Sequence, residues 1–197
     1  MKAPRPTRAY RMSARAKSAA STHARILEVA IRQFGDRFYD EVSLAEVARE
    51  AGVTVQTVLR RFGSKEGLTE AATALGVERV RTERWSPPPG DLDAAVRGLL
   101  AHYEAWGDRS LRFLAQEQRV AAMRRVADSG RALHREWVDH AFAPWLARKR
   151  GAARARLRAR LIAVTDVYVW KIVRRDLGLD PQAVEVTLRE LVAAVVA

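Results

Sequence analysis

From residue 22 onward the large apolar residues recur at steps of three and four, and nowhere do they alternate convincingly with polar ones. That period belongs to the helix, so the chain reads as all-α, with no internal repeat. Ile26, Leu27, Ala30, Ile31, Phe34 and Phe38 define a first amphipathic helix. Ser43, with Glu46 three residues later, is a capping-box start for a short second helix presenting Leu44, Val47, Ala48 and Ala51. Gly52 breaks it, because glycine tolerates the positive φ of a tight turn. Thr54 caps a third helix with Val58 and Phe62 inward, and Ser64 caps a fourth from Lys65 to about Trp85.

Pro87, Pro88, Pro89 and Gly90 then make a loop, and Asp91 caps the fifth helix. Leu92, Val96, Leu99, Tyr103 and Trp106 form one stripe along it. Gly107 is expected to end that helix and Asp108 to open another. A longer helix is expected over roughly 120–147, kinked or closed early at Pro144. The next starts from a loop around Gly151 and is expected to run to about Asp176, where Gly178 stops it. Asp180 caps the last helix, with Pro181 at its first position.

Charge divides the chain further. The 35 Lys and Arg against 23 Asp and Glu give +12 in 197 residues, which points toward nucleic acid. Residues 1–21 hold Lys2, Arg5, Arg8, Arg11, Arg15 and Lys17 with no acid, two prolines and few large apolar residues. They read as a disordered basic arm. Residues 22–68 balance bases against acids and sum to zero, and 69–197 carry the remaining excess.

Two short helices around Ala51-Gly52-Val53 make a helix-turn-helix, whose second helix enters a DNA major groove. The fuller order is Arg25-Ile-Leu-Glu-Val-Ala, Phe34, Val42-Ser-Leu-Ala-Glu-Val-Ala, Ala51-Gly-Val-Thr, Thr57-Val-Leu, then Phe62-Gly-Ser-Lys-Glu-Gly-Leu68. It resembles the N-terminal domain of TetR-type repressors. The resemblance implies a helix-turn-helix domain over 22–68 and a helical effector-binding and dimerisation domain over 69–197. It implies double-stranded operator DNA as partner, with recognition positions at Thr54, Val55, Gln56, Thr57, Leu59, Arg60 and Arg61. Phosphate contacts fall on Ser43 and Lys65. Gln56 and Arg60 are one turn apart, and both side chains can make bidentate contacts to base edges. The chain departs from the family's pattern at Phe38 (commonly glycine), Leu59 (commonly tyrosine) and Arg61 (commonly histidine). Ser43 and Thr54 would also be plain caps in any helical protein.

Elsewhere the chemistry is sparse. There is no cysteine, so disulfides and thiolate nucleophiles are excluded. His134 and His140 lie six apart, on different helix faces, and no phosphate loop or nucleophile elbow occurs. No enzyme, metal or cofactor is therefore expected. Leu161 to Val173, the longest apolar run, is interrupted by Asp166 and Lys171 and is too short to span a membrane. With no signal-peptide stretch, a cytoplasmic protein with no membrane partner is expected.

A small apolar or aromatic effector is expected in the helical domain, with Trp137, Tyr168 and Trp106 as candidate lining. Asp166 either orients such a ligand or pairs with an arginine across a dimer seam. Leu157, Leu161, Val164, Tyr168 and Ile172, with Ile162, Val169 and Val173, ask for burial on two sides, as do Val184, Leu188, Leu191 and Val195. A homodimer through residues 152–197 would supply it. The alternative reading is a constitutive, architectural DNA binder with no effector.

Overall fold

A computed structural model of the chain describes residues 8–197, with side chains from residue 19 onward. Its described residues form helices and no strands. They divide into two compact units, 1–73 and 74–197, and the division falls inside one helix.

The first unit begins with α1, Arg8–Asp36. The helix therefore takes in residues 8–21, which the sequence suggested as part of a disordered arm; residues 1–7 lie outside the described residues. The reason is compositional. Both prolines of the segment, Pro4 and Pro6, precede the helix, and residues 8–20 are rich in alanine, arginine and lysine, all strong helix formers. At its other end α1 stops at Asp36, so Phe38 is not on its apolar stripe. It is exposed, at the start of a 3-10 turn over Tyr39–Glu41. Helices α2 (Leu44–Glu50) and α3 (Val55–Phe62) follow, then α4 (Lys65–Arg84), which continues into the second unit. The core of the first unit gathers Ile26, Ala30 and Phe34 of α1 with Val42, Val47, Ala48, Val58 and Leu68.

In the second unit α5 (Leu92–Gln116) is the hub, packed against α6 (Ala121–Ala141), α9 (Val167–Lys171) and α10 (Pro181–Val196). Short α7 (Ala143–Ala147) carries Pro144 in its first turn, so the break expected near that proline falls at Phe142. Helix α8 is Gly151–Val164. Two expectations fail here for physical reasons. Gly107 does not end a helix, for α5 runs straight through it. A Cβ at 107 would stand 2.4 Å from Cζ3 of Trp170, so glycine is there to seat the indole. The helix expected to run on to Asp176 is instead interrupted at Thr165. Asp166 caps α9 by accepting from the Tyr168 amide at 2.9 Å, and a wide π turn comes next over Ile172–Asp176.

Those two interruptions change which residues face inward. Trp170 and Val173 are buried, while Tyr168 and Ile172 are 51% and 50% exposed. In α10, Val184, Leu188 and Val192 are buried within the chain, and Val186 and Leu191 are left outside. Among the described residues no helix is long and apolar enough to cross a membrane.

Candidate functional site

The helix-turn-helix is held by caps at each start. Ser43 Oγ accepts from the Glu46 amide at 3.1 Å, and the Glu46 carboxylate returns the bond to the Ser43 amide at 3.3 Å. That exchange, with Ser43 providing the larger part and Arg37 adding to it, holds the Glu46 carboxyl below the usual range. Thr54 Oγ1 accepts from the Thr57 amide at 3.2 Å. Between them Gly52 takes φ +64°, and the Val53 amide reaches back to the Ala48 carbonyl at 2.9 Å. Val58, 0% exposed, fixes the rotation of α3. The opposite face is set in turn: Thr54, Val55, Gln56 and Arg60 are exposed, and Thr57 and Arg61 are half-buried. Ser43 is exposed at the start of α2.

Ion pairing sorts the charges that cancel in the sequence. Arg25 Nε of α1 donates to the Ala51 carbonyl at 2.6 Å, satisfying the end of α2. Arg32 pairs with Glu50, Gln33 Nε2 donates to the same carboxylate at 2.6 Å, and Arg37 pairs with Glu46 at 3.2 Å. Thus bases of α1 and of the residue just after it answer α2 acids. Arg49, Arg60 and Arg61 make no ion pair among the described residues. This α1 clamp was not anticipated from sequence, although Arg25, Arg32 and Gln33 do lie on one side of a helix.

Lys65 takes a different place from a free phosphate contact. Its Nζ donates to the Tyr39 carbonyl and lies 4.0 Å over the Tyr39 ring, while the Tyr39 hydroxyl donates to Glu66 at 3.0 Å. Burial is the main reason its ammonium pKa is lowered. The junction of α3 with α4 is close: a Cβ at Gly67 would meet the Phe62 carbonyl oxygen at 2.1 Å. On the other side Phe62 stacks with His23 of α1 at 5.0 Å.

The four ligand candidates do not gather. Trp137 is buried, edge-on to Phe142 at 5.6 Å. Tyr168 faces outward, Trp106 is half-buried with Arg109 stacked at 4.9 Å, and Asp166 caps α9 through one carboxylate oxygen. What sequence reasoning missed is the polar group around Trp137: Arg84, His102, Tyr103, His134 and Thr165. Only spatial assembly brings these together, since they come from three helices, α4, α5 and α6, and the turn after α8. The basic run 148–160 lies mainly on α8, with Arg158 holding Asp139 at 2.7 and 2.8 Å.

Residues 26–72 match the sequence model for bacterial regulatory proteins of the tetR family. A stretch of 64 residues is 42% identical to the HTH-type transcriptional regulatory protein RaaS of Mycobacterium tuberculosis, spanning 32% of this chain and 30% of that protein. In fold, the chain is similar to a putative TetR-family transcriptional regulator from Rhodococcus sp., with TM-score 0.66 and 17% identity, over 90% of this chain and 100% of the other. It is similar also to Salmonella enterica GusR, with TM-score 0.66 and 19% identity, over 89% and 95% of the two chains.

Proposed function

We propose, from the match of residues 26–72 to the tetR-family model and the likeness to RaaS, that the chain is a TetR-type, sequence-specific DNA-binding transcriptional regulator, a repressor released from its operator by a small molecule. The observation that carries the reading is the exposed ridge of α3. Val58 anchors the helix from behind, and Gln56 and Arg60 stand one turn apart on the free side, with Thr54, Val55 and Thr57 at its N-terminal end. A side-chain amide and an unpaired guanidinium at that spacing suit base edges in a major groove. Ser43, exposed at the start of α2, suits a backbone phosphate when its hydroxyl turns from the Glu46 carboxylate, to which it donates at 3.2 Å. Arg61 adds charge at the edge of the ridge.

Lys65 works in this reading by position as much as by charge. Fastened to Tyr39, it keeps the start of α4 against the 3-10 turn while its ammonium remains positive. The chain acts as a homodimer through residues 152–197, where Tyr168, Ile172, Val186 and Leu191 leave apolar surface on each copy. No reaction is part of the reading, because its residues recognise rather than transform.

Selection of bound sequences from a random DNA pool, using the full chain, tests it. A two-fold symmetric consensus with half-sites about one helical turn apart is the expected result. Binding without any enriched sequence would replace the regulator with the architectural DNA binder. Sedimentation of a stable monomer at micromolar concentration would remove the dimer.

A further inference from the structure

The last residue of α4 is a cation that no anion answers among the described residues. Arg84 is 4% exposed. Its Nη2 donates to His134 Nδ1 at 3.3 Å, and its guanidinium lies 4.2 Å over the Trp137 ring. Neither partner carries negative charge. Its Nε is buried with no hydrogen-bond partner, and so is Nδ1 of the nearby His102.

The neighbours are fixed in a form that cannot supply the missing charge. The Thr165 hydroxyl donates to the Leu161 carbonyl at 2.6 Å, so its oxygen is left to accept from His134 Nε2 at 3.2 Å. The proton therefore sits on Nε2, and Nδ1 is free to accept from Arg84. The Tyr103 hydroxyl is already given to the Thr165 carbonyl at 2.8 Å. Burial first, and the Arg84 charge second, push His102 and His134 down to about 3, so both rings are neutral. Burial also pushes Arg84 down to about 10, which still leaves it charged at neutral pH. A buried, unpaired guanidinium is unfavourable, and a methionine or leucine would fill the same volume without that cost.

We infer that Arg84 and His102 form the recognition point for a small organic carboxylate with an apolar body. The carboxylate takes the free Nε–H of Arg84 and an N–H from His102 in its Nδ1–H tautomer. Trp137, whose ring already carries the Arg84 guanidinium at 4.2 Å, and Tyr103 are the buried rings that border this point. One guanidinium with one neutral imidazole matches a single negative charge, not the two of a phosphate monoester. The inference rests on the effector-responsive reading above and narrows its ligand from apolar or aromatic to anionic.

Calorimetry and thermal melting of the full-length chain, without DNA, test it. The probes are benzoate and hexanoate, with benzamide and inorganic phosphate as controls. At least one carboxylate is expected to bind and raise the melting temperature, and neither control should. Arg84→Met is expected to weaken carboxylate binding by about tenfold or more, while melting no lower than the parent when unliganded. Arg84→Lys, which keeps the charge but loses the fork, should retain weakened binding. The inference is overturned if neither carboxylate binds, if benzamide binds as well as benzoate, or if Arg84→Met melts lower, which would make Arg84 a structural brace. Binding of the selected operator is measured in parallel. Absence of any carboxylate response in the parent chain, with operator binding intact, sinks this inference alone, whereas failure of the parent chain to select any sequence sinks the regulator.

Discussion

At the scale of single residues, Arg60 and Lys65 are both cations beside the same helix-turn-helix, and their surroundings separate their roles. Arg60 is exposed and unpaired, so its guanidinium is available to a base. Arg60→Ala, or Gln56→Ala, should cost about 1–3 kcal/mol on the selected operator and relax preference at particular base pairs. Fluorescence anisotropy with operator and scrambled duplexes reads this out; an equal loss on both would make Arg60 a phosphate contact. Lys65 is fastened to the Tyr39 carbonyl and ring. Lys65→Ala should therefore weaken operator and scrambled DNA alike and also lower the melting temperature, because the α4 start loses its hold on the 3-10 turn. Unchanged melting would mean the Tyr39 contacts contribute nothing to folding.

Among the helices, starts were far more legible than interruptions. Ser43, Thr54, Asp91 and Asp180 each accept from the amide three residues on, in the helix they open, as their sequence positions indicated. A cap is a local event, so local sequence reveals it. The exposed ridge of α3 was legible for a related reason: Val58 and Phe62 mark the inner face, and helical geometry places the rest. Gly107 and Asp166 misled because each residue type has two uses. Glycine stops a helix or admits a neighbour, and the neighbour Trp170 lies 63 positions away. An acid inside an apolar run can also start a new helix, and Asp166 does so by capping α9. The Gly107 seat makes a sharp prediction. Gly107→Ala should destabilise the helical unit by about 1–3 kcal/mol through overpacking against the indole, despite alanine's better helix propensity. Denaturant unfolding measures it, and pairing with Trp170→Leu should recover much of the loss. A stabilised Gly107→Ala would show that the indole shifts freely.

Over the whole molecule, the two neutral histidines of the second unit set its response to acid. Their pKa values, about 3 when folded, lie below the ordinary 6.5 of the unfolded chain. Between those values the unfolded state binds more protons. Stability is thus complete above about pH 6.5 and falls as pH drops toward 3, by up to about 1.4 kcal/mol per pH unit for each histidine. Thermal melts across that range check the slope; a flat profile would mean both rings can charge in place. The six bases of residues 1–21 give a second prediction, for salt. If about three per subunit meet phosphates, changing all six to glutamine should flatten the dimer's slope of log K against log salt by roughly five. An unaltered slope would exclude those bases from the complex. The sorting of charge between α1, α2 and α3 has one more consequence. Residues 22–68 sum to zero and still carry a dipole, because Glu46 and Glu50 are paired with Arg37 and Arg32 while Arg60 of α3 is exposed and unpaired. Net attraction brings a protein near DNA, but a dipole turns it on approach. In the proposed function α3 can therefore meet the groove face-first, and more of the diffusive encounters become productive ones.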